Sequence, residues 1–163
     1  MKKIQFRAAD FYDADGHLVA NCGPGALAAI AGMPLKELML GIPDFKETAG
    51  LSLDRMKSEL TRLGLEWEPC GNDWPSHGLV IIAWMERCYD DQQLPRHTKY
   101  TNTNQRRHWI AVSNGGQSVF DPFATNRGWL TQREWKRSVL PKLTGHHDFE
   151  FPMCRVQQAI SVL

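Results

Sequence analysis

The spacing of apolar positions changes character several times along the chain. From Cys22 to Gly32 the run Cys-Gly-Pro-Gly-Ala-Leu-Ala-Ala-Ile-Ala-Gly is small or apolar almost all round. That pattern predicts a buried helix rather than one with a wet face. Pro24 suits its first turn, and Gly32 with Pro34 closes its far end. From Leu51 to Gly64 the pattern is one-sided. Leu53, Met56, Leu60 and Leu63 recur three and four apart, with Ser52 as cap and Gly64 as stop, which predicts an amphipathic helix. Beyond Gly64 the helical period is lost. Leu65–Pro69 predicts a short strand and Gly78–Trp84 a buried one. Residues 90–107 are polar, basic and irregular. Two strand patterns follow, His108–Val112 and Gln117–Asp121, joined by Ser113-Asn-Gly-Gly116, and Asn-Gly between such runs is a strong hairpin signal. A last helix is predicted over Thr131–Leu140, with Thr131 as cap and Glu134 three residues on. Helices first and an antiparallel sheet after predict an α+β fold.

Composition narrows the class. The chain has 163 residues, 42% of them hydrophobic and 23% charged, a globular balance for one domain over 1–163. No repeat or Pro/Gly/Ser-rich linker divides it. Nineteen Lys and Arg against eighteen Asp and Glu leave a net charge of +1, so a nucleic-acid partner is not expected. The longest apolar run, Gly23 to Leu35 with Gly and Pro included, falls short of the ~20 residues of a membrane span. The first ten residues carry the charge of a signal peptide without its apolar segment. The expectation is a cytoplasmic location without membrane attachment, or export by a route that needs no such signal.

The chemistry centres on one of four cysteines, Cys22, Cys70, Cys88 and Cys154, none at CxxC spacing. A free cysteine is most often a small buried residue. Cys22 differs because a helix begins there, where unpaired N–H groups and the dipole favour a thiolate. Its backbone amide is also placed to meet a developing oxyanion. The hairpin supplies the partners. A two-residue Asn114-Gly115 loop sets Ser113 against Gly116 and His108 against Asp121, on one face and about 5 Å apart at Cβ. An aspartate there would fix the imidazole tautomer and stabilise the imidazolium.

Three motifs in this order carry a family resemblance. Asn21-Cys-Gly-Pro-Gly-Ala-Leu27 resembles the nucleophile motif of the papain-like cysteine peptidases, above all the branch that cleaves double-glycine leaders from bacteriocin precursors. Arg107-His-Trp-Ile-Ala-Val112 and Val119-Phe-Asp-Pro122 are similar to that branch's His and Asp strands. Gly128-Trp-Leu-Thr-Gln-Arg-Glu-Trp135 resembles the stretch that follows them. The resemblance covers about residues 15–140. It implies a papain-like fold with N-terminal helices packed on a C-terminal antiparallel sheet, and a peptide or protein substrate. It also implies amide hydrolysis through an acyl-enzyme on Cys22, with His108 as base and then acid and Asp121 as orienter. No cofactor is implied.

The sequence departs from the family at one position. The family places a glutamine six residues before the cysteine to complete the oxyanion hole, and here that residue is Gly16. Loss of such a donor costs roughly 10²–10³ in rate. Asn21, His17 and Gln5 are the candidates to replace it. The departure motivates a second reading, an inactive relative that binds a peptide or partner protein in the same cleft, and a third is a glutamine deamidase or transglutaminase on the same scaffold. Trp74 and Trp109 are the candidates to line a substrate groove, Trp74 being the most exposed candidate of the six tryptophans. His146, His147 and Cys154 lack the spacing of a zinc site, so no metal is expected.

Overall fold

The computed structural model describes residues 8–11, 20–42, 44–45, 50–85, 105–144 and 154–163. The N-terminal helices are α1 (Cys22–Ala31), α2 (Leu35–Leu40) and α3 (Leu53–Arg62). They are followed by β1 (Trp67–Gly71), β2 (Gly78–Met85), β3 (Gln105–Ser113), β4 (Ser118–Phe120) and β5 (Trp129–Thr131). Helices α4 (Gln132–Ser138) and α5 (Leu140–Thr144) come next, and β6 (Arg155–Val162) ends the chain. The six strands form one sheet in the order β1-β6-β2-β3-β4-β5, and every neighbouring pair is antiparallel. The class is therefore α+β.

The sheet has a core on each face, so the helices are not confined to one end of the chain. On one face Leu79, Ile81, Trp109, Ala111, Phe120 and Ile160 pack with Leu27, Ile30, Leu38 and Leu60 of α1 to α3. On the other, Val80, Ile82, Ile110, Val112, Val119 and Leu130 pack with Trp135 and Val139. A strand covered on both faces loses its polar alternation, which is why Gly78–Trp84 reads as one apolar run.

Helix α1 follows the sequence reading closely. Gly23 to Ile30 are all buried, and Gly32 ends the helix in the left-handed conformation (φ 66°) with its N–H bonded to Ala28 O. Small residues let other elements approach closely. A Cβ on Gly25 would lie 2.8 Å from Phe11 Cε1 and 2.9 Å from Pro122 Cγ. In α3, Ser52 accepts from Arg55 N and Met56 and Leu60 are buried, as expected.

Four boundaries differ from expectation. Strand β1 starts at Trp67 rather than Leu65, because Gly64 (φ 71°) and Leu65 are used in closing α3, with Leu65 N bonded to Leu60 O at 3.0 Å. The segment predicted as one helix over Thr131–Leu140 is two, α4 and α5. Pro141 lacks the N–H that would continue the ladder, and the break falls just before it. Of residues 90–107, the last three belong to β3, and 90–104 lie outside the described residues.

The fourth correction is the hairpin register. Ser113 faces Ser118, Val112 faces Val119 and Ala111 faces Phe120, so the turn holds four residues rather than two. Asn114, Gly115 and Gly116 all have positive φ (57°, 65° and 81°). Gly116 cannot pair with Ser113 because its N–H bonds to Ser76 O at 2.9 Å and its carbonyl accepts from Trp74 Nε1 at 2.9 Å. The register is shifted by two residues. A shift of two leaves every side chain on the face it had, so His108 and Asp121 still share one.

Candidate active site

Cys22 is the first residue of α1 and is half-buried. Asn21 caps the helix, its side-chain oxygen accepting from Gly23 N at 3.1 Å. This capping fixes the first turn, where the unpaired amides and the dipole favour negative charge on the sulfur. Helix α1 lies against β3, and the two are further joined by Leu51. The Leu51 carbonyl accepts from Trp109 Nε1 at 2.8 Å, while its side chain fills the space left by the missing Cβ of Gly23.

Strand β3 carries His108 on the face opposite Trp109. The sulfur of Cys22 lies close enough to the His108 ring and the Trp109 backbone amide for both to favour its thiolate. It reaches them where β4 has already ended, beyond the Ala111–Phe120 pair. His108 is 2% exposed, and its Nε2 lies 2.8 Å from Oδ1 of Asp121. That occupies one ring nitrogen with the carboxylate and leaves Nδ1 for the sulfur.

Asp121 is fully buried, directly after β4. Oδ1 also accepts from Phe123 N at 2.9 Å, and Oδ2 accepts from Trp135 Nε1 at 2.7 Å. The Phe123 ring, 72% exposed, stands 5.0 Å from the His108 ring and forms an apolar lip beside it.

The electrostatics follow from these contacts. Burial works against charge on the Cys22 sulfur. The hydrogen bond and positive charge of His108, with the Trp109 amide, outweigh burial and hold the thiol below its ordinary value. Burial likewise works against charge on His108, but the Asp121 carboxylate and the sulfur raise it to about 10. Asp121, also opposed by burial, is held below the ordinary carboxylate range by His108, Trp135 and the Phe123 amide. Each charged form thus has an opposite neighbour that favours it, the imidazolium for the Cys22 thiolate and the Asp121 carboxylate for the imidazolium. Burial alone moves Cys154 the other way, to a higher value.

The structure thus brings Cys22, His108 and Asp121 together. Asn21 stands immediately before the sulfur as the helix cap. His17 and Gln5 lie outside the described residues, as do Cys88, His146 and His147. The two tryptophans named from sequence sit within the fold. Trp109 is 4% exposed beneath α1, and what it offers the site is its backbone amide. Trp74 is half-buried rather than exposed, its indole on the hairpin turn and 6.2 Å from that of Trp135. Trp135 and Phe123 went unrecognised. Both bond to Asp121, but an indole fourteen residues away along the chain leaves no spacing signal. Among the described residues no group of three His, Cys, Asp or Glu side chains is placed to hold a metal ion, and no helix is long and apolar enough to cross a membrane.

Comparison with known protein families, curated proteins and solved structures finds no match to this chain. The chemistry of the site has to come from its own geometry.

Proposed function

We propose that this protein is a cysteine-dependent amide hydrolase, a peptidase of papain-like fold with Cys22 as nucleophile. One observation carries the reading: a cysteine at a buried helix N-terminus shares a histidine with a fully buried aspartate. The chain order of helix, His strand and Asp strand supports it. So does the helical layer of α1 to α3 on one face of the antiparallel sheet.

In the proposed reaction the Cys22 thiolate attacks the carbonyl carbon and the π pair moves onto oxygen. The backbone N–H of Cys22, at the opening of α1, is the donor nearest that oxyanion. Collapse expels the amine, which takes its proton from the His108 imidazolium and leaves a thioester. His108, now neutral, accepts a proton from water as the water attacks the thioester. The thiolate departs with the C–S bonding pair, and the imidazolium is restored. Asp121 keeps the ring oriented throughout. Because His108 supplies the leaving amine with its proton, that side of the substrate lies over the imidazole and beside Phe123.

The test is incubation of a mixed short-peptide library with the wild type and with Cys22→Ala, with products read by mass spectrometry. New termini formed by the wild type alone support the reading. Peptides retained intact, with no acyl adduct on Cys22, would refute it and point to a binding cleft. Ammonia release without backbone cleavage would redirect it to side-chain deamidation.

A further inference from the structure

Asp121 presents two oxygens, and the proposed catalysis uses only one of them. Oδ1 holds His108 and the Phe123 amide. Oδ2 faces Trp135, which belongs to the core with Ile110, Val112, Val119 and Leu130 on the far face of the sheet. A carboxylate oxygen left bare in such surroundings is strongly disfavoured, and the carboxyl would take up a proton or turn away. The donor that meets it is Trp135 Nε1, at 2.7 Å, from a side chain 2% exposed. An indole N–H donates and cannot accept. It therefore stabilises the ionised oxygen and would oppose an O–H placed on Oδ2.

Trp135 is itself held from three directions. Thr131 and Glu134 form a reciprocal capping box at the start of α4, which sets the helix. Gln132 N bonds to Gln117 O at 2.7 Å, tying that helix to the hairpin. Trp74, anchored to Gly116 O, packs at 6.2 Å against the indole. A Cβ on Gly116 would lie 3.0 Å from Trp74 Cδ1, so the positive-φ turn also makes room for this anchor. The turn, the loop before β2 and α4 converge behind one carboxylate oxygen.

We infer that Trp135 is a positioning residue of the proposed reaction, which holds Asp121 ionised and aimed at His108 and so keeps His108 as imidazolium and Cys22 as thiolate. The inference rests on the reading of Cys22 as nucleophile. Its test replaces Trp135 with phenylalanine and with 3-benzothienylalanine, which keeps the indole shape and lacks the N–H. Alkylation of Cys22 by iodoacetamide is followed across pH and located by peptide mapping, and the His108 ring is titrated by NMR. The expected result is a roughly ten- to a hundredfold slower reaction near neutral pH in both variants. The rate should then rise only where an ordinary thiol ionises, and His108 should lose its proton at lower pH. A folded benzothienyl variant with the wild-type profile and wild-type His108 titration would overturn the inference and leave the Cys22 reading standing. A wild type whose Cys22 labels no faster than Cys70 or Cys154 would overturn both.

Discussion

Oδ1 of Asp121 lies 2.8 Å from Nε2 of His108, between two side chains closed off from solvent. Three N–H groups converge on this carboxylate, from His108, Phe123 and Trp135. An amide in its place has one oxygen and one NH₂, so at least one of the three donors must face another donor. Asp121→Asn is therefore expected to slow Cys22 alkylation near neutral pH by roughly ten- to a hundredfold and to lower unfolding free energy by about 1–3 kcal/mol. Unchanged rate and stability would show that the pair is incidental.

The same charges set the dependence of stability on pH. Asp121 is lowered from 3.8, so its contribution is present above pH 3.8 and is lost as acid carries the pH through its lowered folded value. His108 is raised from 6.5, so its contribution is complete below pH 6.5 and is lost as the pH climbs through about 10. Cys22 is lowered from 9.0 and works the opposite way, stabilising above pH 9.0 and losing that effect as the pH falls through its lowered value. The alkaline side is thus partly self-cancelling, and the acid side belongs to Asp121. Urea unfolding below pH 3.8 is expected to lose stability more steeply in the wild type than in Asp121→Asn. Parallel acid limbs would contradict this.

The cap of α1 couples stability to chemistry. Asn21→Ala removes the acceptor for Gly23 N and is expected to reduce stability by about 1 kcal/mol. It should also raise the pH at which Cys22 becomes reactive, because a frayed first turn no longer directs its amides at the sulfur. A stability loss without any change in the alkylation profile would separate the two effects.

Gly25 tests the packing behind the site. Its missing Cβ is what lets Phe11 and Pro122 approach α1, and Pro122 follows Asp121 directly. Gly25→Ala is expected to destabilise the fold by about 1–3 kcal/mol through overpacking. It should also slow Cys22 alkylation, since relief requires moving Pro122. Gly115→Ala, whose Cβ would meet nothing within 4 Å, should show only the cost of its positive φ and leave the alkylation rate unchanged.

What was legible in the sequence was local. Cys22 at the start of α1, the α3 caps and the strands around Asn114-Gly115 all declare themselves through spacing within a dozen residues. The hairpin register did not, because Gly116 is held by Ser76 and Trp74 from a loop some forty residues earlier. His108 and Asp121 are therefore not directly opposite as expected, but a shift of two preserves the face and their side chains still meet at 2.8 Å. Strand β6 gave no clear signal. Arg155 and Gln158 are exposed while Ala159 and Ile160 are buried, so its first half reads as polar, and its place between β1 and β2 is a long-range choice. Strand β5, three residues long, and the six-residue α2 are too short to show a period. The Trp135–Asp121 bond is a tertiary contact with no spacing to betray it.

Brief, low-dose alkylation near neutral pH on the wild type and on His108→Ala, with intact mass and peptide mapping, reads the activation of Cys22 by His108 directly. Labelling at Cys22 ahead of every other cysteine, collapsing in the variant, is the predicted result. Slow labelling spread over several cysteines and indifferent to His108 would contradict an activated thiolate at the head of α1.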